Sequence, residues 1–509
     1  LASSLDYIAG IAVQFIINPL LVHGLGSALY GAWRVLYSLN GYLWATSGRS
    51  AQALTWVMAH NHRSASDEEK RRYVGSAIVV WFIFLPLLAL VGGLGAWFAP
   101  HFLHLPAQYV WEVRWAAALL TADAILLTLL SIPRSALQGE NLGYKRMGSS
   151  ALLILVGGGA MALAVKLHTG IVGVAVANAT GTLMTGLLFW QVSRRSLPWF
   201  GSARPTRQNV RWFLGLSAWF TGWKFIYELM TAGDVIVLGV FGSVELVTIY
   251  TLTKFTTQSL VPLIGVVFEG TSPGLGAIIG SGDTAKAVRL RNEIMSITWV
   301  LCTVLGASLL LWNRSFVGLW AGQRFYAGAL PMLLIVIMLM QFVFVGNDAR
   351  IIDLTLKLRG KVILGTISAI LSVVLAGILI KVFSNQLIGM AVGMIAGRMI
   401  VTIGYPWLIG QMLAYPLTSQ IRGLIRPLFA SGVLFALTMW LGIHITAHSW
   451  TSLIALGGVT AIVFTFLASL LGLGQEQRNV LWARLRKLRQ GSKDDDSSPP
   501  PEPPQEVRT

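Results

Sequence analysis

Apolar runs of about 20 residues, each long enough to cross roughly 30 Å of hydrocarbon as a helix, follow one another from end to end of this 509-residue chain. A helix satisfies every backbone donor and acceptor within one such segment once water is gone. The chain therefore reads as an all-α integral membrane protein. Charged residues make up 12% of it, about half the share of a soluble domain, and its mean hydropathy is +0.68.

About 14 transmembrane helices can be drawn, at 3–23, 32–57, 74–98, 114–133, 147–166, 171–192, 213–240, 246–271, 293–312, 329–347, 362–382, 387–408, 426–446 and 451–473. The runs flanking His168, Phe241, Asn385 and His448 are nearly continuous, which leaves counts of thirteen or twelve open. Leu5 to Leu25 reads as the first span and not as a cleavable signal. The missing Met at position 1 points to a short absent N-terminal piece.

The net charge of +17 would suit a nucleic-acid binder, but its distribution argues against one. With alternate loops on opposite sides, about 28 of the 38 Lys and Arg residues fall on one side and about six on the other. The rich loops, 63–72, 194–211, 350–361 and the segment after 474, are cytoplasmic by the positive-inside rule. Both termini then face the cytoplasm. Loops are too short to hold a soluble domain, and the lone Cys302 excludes internal disulfides.

A faint repeat sets the expected architecture. Residues 21–37 align without gaps on 236–252, placing Gly26 and Ser27 opposite Gly242 and Ser243. An offset of six crossings makes a parallel repeat: two six-helix lobes around a central cavity, plus two C-terminal helices. The expected divisions are an N-lobe at 1–192, a cytoplasmic linker at 193–212, a C-lobe at 213–408 and the appended spans at 409–473. A basic amphipathic segment at 474–490, with Val480, Leu481, Leu485 and Leu488 on one side, would lie on the inner leaflet, and the acidic, proline-rich 491–509 reads as disordered. Pro19, Pro86, Pro262, Pro331 and Pro406 permit bends within spans.

Arg49, Lys224, Lys254 and Arg398 lie well inside spans. At about 2.5–3.5 kcal/mol each near the bilayer centre, four uncompensated cations oppose insertion by roughly 10 kcal/mol or more. They need water, counter-charges or an anionic ligand, which points to a transporter with a cationic interior. Helical spacing sorts span seven into adjacent ridges, Trp219, Trp223 and Tyr227 on one and Phe220, Lys224 and Glu228 on the other. Lys224 and Glu228 can pair, either as an internal salt bridge that eases insertion or as part of a site. Tyr250, Lys254, Gln258 and Pro262 share a hydroxyl-rich ridge of span eight that reads as lining a hydrated cavity. Tyr42, Thr46, Arg49 and Gln52 share a face of span two, where Arg49 either lines the cavity or snorkels.

Asp234 is a second acid of span seven. Asp123 in span four is Arg49's partner, a protonatable coupling site or a neutral buried acid. Gly389, Gly393 and Gly397 precede Arg398 at the spacing of close helix contact. The glycines of GLGAIIG follow a membrane helix and not a strand, so they are no dinucleotide fingerprint. His101 with His104 and His444 with His448 lack nearby carboxylates, so no metal or other cofactor is expected.

LGSALYGAWRVLYSL, DVIVLGVFGSVELVTIY and SPGLGAIIGSGDTAKA resemble the polysaccharide transporter family, the Wzx-type flippases, of the multidrug/oligosaccharidyl-lipid/polysaccharide (MOP) exporter superfamily. Members often carry an acid before the glycine late in span two. Here Ser47 precedes Gly48 and Arg49 follows, which leaves N-lobe ion coupling in doubt.

The resemblance implies no enzyme but a flippase that moves undecaprenyl-pyrophosphate-linked oligosaccharide to the outer leaflet for O-antigen, capsule or exopolysaccharide assembly. It would work beside membrane lipids and a polysaccharide polymerase and co-polymerase, without nucleic acid. Arg49, Lys224, Lys254 and Arg398 would take the pyrophosphate. Tyr42, Trp219, Trp223, Tyr227, Tyr250 and Gln258 would meet the sugars, and Asp123, Glu228 and Asp234 are candidates for ion coupling. The rival readings are a lipid II flippase, a multidrug exporter, which a cationic cavity disfavours, and a membrane-embedded glycan polymerase or ligase, which short loops disfavour.

Overall fold

The computed structural model describes residues 2–61, 65–146, 148–355, 357–475 and 478, without the side chains of 2–4, 45–46, 60, 146, 219, 223, 263, 266–274 and 277. The expected amphipathic segment and acidic tail lie outside them, save Gly474, Gln475 and Arg478. Fourteen α-helices account for nearly all of the described chain: α1 (Ala2–Thr46), α2 (Ser50–His60), α3 (Asp67–Phe102), α4 (Val110–Gly139), α5 (Ser149–Lys166), α6 (Gly170–Ser196), α7 (Arg207–Phe241), α8 (Val244–Gly280), α9 (Thr284–Trp320), α10 (Ala329–Leu354), α11 (Leu358–Val382), α12 (Gln386–Met412), α13 (Leu417–His444) and α14 (Trp450–Gly472). Eleven helices among the described residues are long and apolar enough to cross a membrane. The charge-bearing α7 and α8 match them in length, at 35 and 37 residues.

Helices and crossings are not one to one. α1 is interrupted at Gly26, whose φ of 79° and ψ of 166° no helix contains. The Tyr30 hydroxyl donates to Asn18 Oδ1 at 3.2 Å; twelve residues of straight helix would hold these residues about 18 Å apart, so the chain folds back there. α1 thus supplies the first crossing and most of the second, α2 completes the second, and α3 to α14 are the third to fourteenth.

The second crossing, expected to run unbroken over 32–57, is itself split. Gly48 (φ 73°) and Arg49 (φ 46°) both adopt left-handed conformations, and an added Cβ on Gly48 would collide with the Phe84 ring. A left-handed arginine costs about 1–2 kcal/mol. The apolar pattern continues through the break, so periodicity alone did not show it.

α4 packs against α2, α3 and α6, with α5 between α1 and α6, to make one lobe; α7 to α12 make the other. The tightest pair is α11 with α12, where a Cβ on Gly389, Gly393 or Gly397 would strike the α11 backbone at Leu379, Ala376 or Ser372. The glycine stripe is therefore a packing surface. α13 and α14 pack on α9 and on each other.

The inter-lobe linker is strapped to the N-lobe. Arg71 Nε donates to the Trp199 carbonyl at 2.8 Å, and Phe213, early in α7, is buried among Leu54, Val74 and Ala136. Further along, Ile226 and Met230 join Val401 and Tyr405 of α12. One helix is thus shared between both lobes.

The lobes meet along α1. Thr248 Oγ1 donates to the Ser27 carbonyl at 2.6 Å, so the two turns paired by the faint repeat lie side by side. Trp320 stacks on Phe15 and Phe255, at 5.8 and 4.5 Å between ring centroids, and its indole N–H donates to the Phe15 carbonyl at 2.6 Å.

Candidate functional site

The intramembrane charges gather at two levels of α7. At the first, Lys224 pairs with Glu228 one turn on. Across from it on α1, Trp44 has Lys224 Nζ at 5.5 Å and the Arg49 guanidinium carbon at 4.7 Å from its ring centroid. The left-handed backbone at Arg49 turns this side chain back along the crossing it has just left. Arg49 Nη2 donates to Gln52 Oε1 at 3.2 Å, and its buried Nη1 has no partner among the described residues. Gly41 leaves room for the Glu228 carboxylate, which would lie 3.0 Å from an added Cβ.

At the second level, Asp234 is fully buried. Its carboxylate accepts from Lys254 Nζ and the Tyr250 hydroxyl and from the Val235 N–H at 2.8 Å. Arg398 of α12 adds a further positive field; its Nη2 donates to the Met230 carbonyl, while its buried Nε has no partner among the described residues. A buried carboxylate needs such saturation, because an unpaired charge loses solvation that nothing replaces.

Tyr42 joins the levels. Its hydroxyl donates to the Glu228 carbonyl at 3.0 Å, and its ring meets Phe225 edge-on at 5.8 Å. Lys224 and Asp234 are ten residues apart, about 15 Å along the helix. Among the described residues, each level brings together two of the four cations and one carboxylate, an excess of one positive charge.

Three expected sugar contacts change role or stay undescribed. Tyr250, expected to line a hydrated cavity, is 1% exposed and donates its hydroxyl to Asp234, so it supports the ion pair. The side chains of Trp219 and Trp223 lie outside the described residues. Tyr227 is exposed beside Phe342, its ring 4.9 Å from Lys224 Nζ, and Gln258 is also exposed.

Asp123 has Asn178 of α6 as its partner, at 2.8 Å, and not Arg49; its other oxygen has none among the described residues. The missed residues are Asn178 and Arg34. Arg34 lies within the predicted second span but near its end. In the structure it lies near Tyr30 and Tyr37, and its buried Nε has no partner among the described residues. Its position one turn from Tyr30 and Ser38 was the available signal.

The profile of a polysaccharide biosynthesis protein family matches residues 2–270. No curated protein matches the chain. Among solved structures the chain is similar to the lipid II flippase MurJ in an inward closed conformation, with 12% identity, 92% of this chain and 98% of that one covered, and a TM-score of 0.67. It is also similar to an inward-facing multidrug resistance transporter of the MATE family, with 15% identity, 80% and 95% covered and a TM-score of 0.62. A MOP superfamily transporter from Pyrococcus furiosus gives 16% identity, 81% and 95% covered and a TM-score of 0.53. At such identities the likeness is one of fold, the fold of multi-pass membrane transporters.

Proposed function

The chain belongs to the polysaccharide biosynthesis protein family, and from that premise we propose that it is a flippase for an undecaprenyl-pyrophosphate-linked oligosaccharide. The head group enters between the lobes from the cytoplasmic leaflet of the bacterial plasma membrane, the lobes rock, and it leaves on the periplasmic side. A polymerase and co-polymerase would then draw flux forward by consuming it. A sugar diphosphate cannot cross hydrocarbon unaided, because its charges and hydroxyls would lose water without replacement.

The observation that carries this reading is the pair of charge clusters on α7, each with one cation more than acid. They lie about 15 Å apart, half the thickness of the hydrocarbon, so a diphosphate held by Arg49 and Lys224 has a second cationic seat at Lys254 and Arg398 further along. An excess of positive charge also opposes organic cations. The exposed Tyr227 ring beside Lys224 offers a face for sugar stacking.

Arg49 is the cleanest probe, since no carboxylate depends on it. Arg49→Gln should leave membrane insertion intact and cut transport of a fluorescent polyprenyl-diphosphate oligosaccharide in proteoliposomes at least tenfold. Unchanged transport removes Arg49 from the path. Lipid II presents the same diphosphate, so the fold likeness to MurJ keeps it as the second reading; competition between the two substrates separates them by glycan.

A further inference from the structure

A groove of about 830 Å³ runs between α13 and the face formed by α9, α10 and α12. None of the four intramembrane cations of the candidate site lines it. Its walls are mainly apolar, but the end beside the basic loops is built from polar groups. Arg291 donates to Asp348 Oδ1 through Nε and Nη2 at 3.2 and 2.8 Å. Asn292 Nδ2 donates to the Tyr415 hydroxyl at 3.2 Å, and Gln420 Nε2 donates to the carbonyls of Tyr415 and Pro406 at 2.9 and 3.0 Å.

Three polar atoms on lining residues have no partner among the described residues: Trp299 Nε1, Gln341 Oε1 and Gln420 Oε1. Their side chains belong to residues only 2, 8 and 6% exposed. Gln420 stands at the polar end; Trp299 lies eight residues along α9 from Arg291, about 12 Å deeper. Unmet donors and acceptors in such a place are expensive unless a ligand meets them.

We propose that this groove is a binding site for a glycerophospholipid whose zwitterionic head carries a primary ammonium, the phosphatidylethanolamine class, separate from any transported lipid. The charged groups of the groove, Arg291 and Asp348, cancel each other, so a head of zero net charge matches them. The phosphate lies toward Arg291, and the ammonium donates to Gln420 Oε1, which a trimethylated head cannot do. An ester carbonyl, deeper by roughly the length of the head, accepts from Trp299 Nε1, and the chains fill the apolar walls. The lipid completes the contact of α13 with α10 and α12, so that the appended helices move with the C-lobe.

The test is retention of lipid by the purified full chain in nanodiscs of equimolar phosphatidylethanolamine, phosphatidylcholine and phosphatidylglycerol, read by native mass spectrometry. Phosphatidylethanolamine should be retained over both others by the wild type. Trp299→Phe, which keeps an aromatic ring but removes the indole N–H, and Gln420→Leu should each weaken its retention about fivefold, the effect of one hydrogen bond. Equal retention of the three heads by the wild type, or wild-type retention by both variants, overturns the proposal. So does recovery of a polyprenyl diphosphate in the same place.

Discussion

Removing Asp234 and removing Lys254 should have unequal effects, and the inequality can be worked from their surroundings. The Asp234 side chain is 0% and the Lys254 side chain 13% exposed, and breaking a buried pair by deleting one member costs about 3–5 kcal/mol. Asp234→Asn leaves two cations, Lys254 and Arg398, facing each other without an acid, so its loss should sit at the upper end, about 5 kcal/mol. Lys254→Met leaves the carboxylate with the Tyr250 hydroxyl, the Val235 N–H and the field of Arg398, and should cost about 3 kcal/mol or less. The double variant removes both charges and should cost no more than Asp234→Asn alone, about 5 kcal/mol, giving a coupling of about 3 kcal/mol or more in a double-mutant cycle.

The assay is unfolding of the purified chain in detergent, followed by tryptophan fluorescence for the wild type and the three variants. Strict additivity would falsify the pair as an energetic unit. Transport adds a second reading on the same proteins. The double variant should fold yet fail to flip a polyprenyl-diphosphate oligosaccharide, and normal flipping by it would assign Lys254 a purely structural part.

Gly397→Val should lower the yield of monodisperse protein on size-exclusion chromatography, because the side chain would strike Ser372 of α11 and overpacking of this kind costs about 1–3 kcal/mol or more; unchanged yield would mean that α11 and α12 part readily. Asp123→Asn should abolish any stimulation of transport by a proton or sodium gradient while sparing downhill flux; stimulation equal to that of the wild type excludes Asp123 from coupling. Trp320→Ala removes one ring with two stacking contacts, on Phe15 of α1 and on Phe255 of α8, and the hydrogen bond to the Phe15 carbonyl. Each aromatic pair is worth about 0.5–1.5 kcal/mol, so the variant should label faster than the Trp320 parent at a cysteine placed at Val22, buried two turns along α1 from Phe15, against a background silent because Cys302 is fully buried. Equal labelling would show that this contact does not hold the lobes together.

Features governed by local geometry were legible in the chain. Span length followed from apolar run length, Lys224 with Glu228 from helical spacing, and a close-packed face on α12, though not the helix it meets, from glycines at every fourth position. What could not be read were pairings made by tertiary packing. Lys254 reaches Asp234 only because the turn at Gly242 folds α8 back along α7, and nothing in the ridge of Tyr250, Lys254 and Gln258 says which of them turns toward that acid. Asp123 meets Asn178 across 55 positions because α4 packs on α6. The break at Gly48 and Arg49 hid because the residues around it remain apolar, and the buried Arg291–Asp348 pair hid because both members fall at predicted span ends, where charge is unremarked.

The pairing of two of the four cations resolves a conflict that unpaired charges would create. Four bare cations would oppose insertion by roughly 10 kcal/mol or more, whereas Glu228 and Asp234 each cancel one, leaving an excess of two over about 15 Å of α7. A pyrophosphate bridging a lipid and a sugar carries two negative charges. On the proposed function, ligand and site would therefore match in charge, and the two clusters together would be neutral when occupied. Neutrality of the loaded state matters for a rocking mechanism, since closing the lobes removes water and strengthens every uncompensated charge inside. The empty site would then retain its excess and stay more favourably open to water, while the loaded site could close, which would make occupancy itself the condition for the proposed crossing.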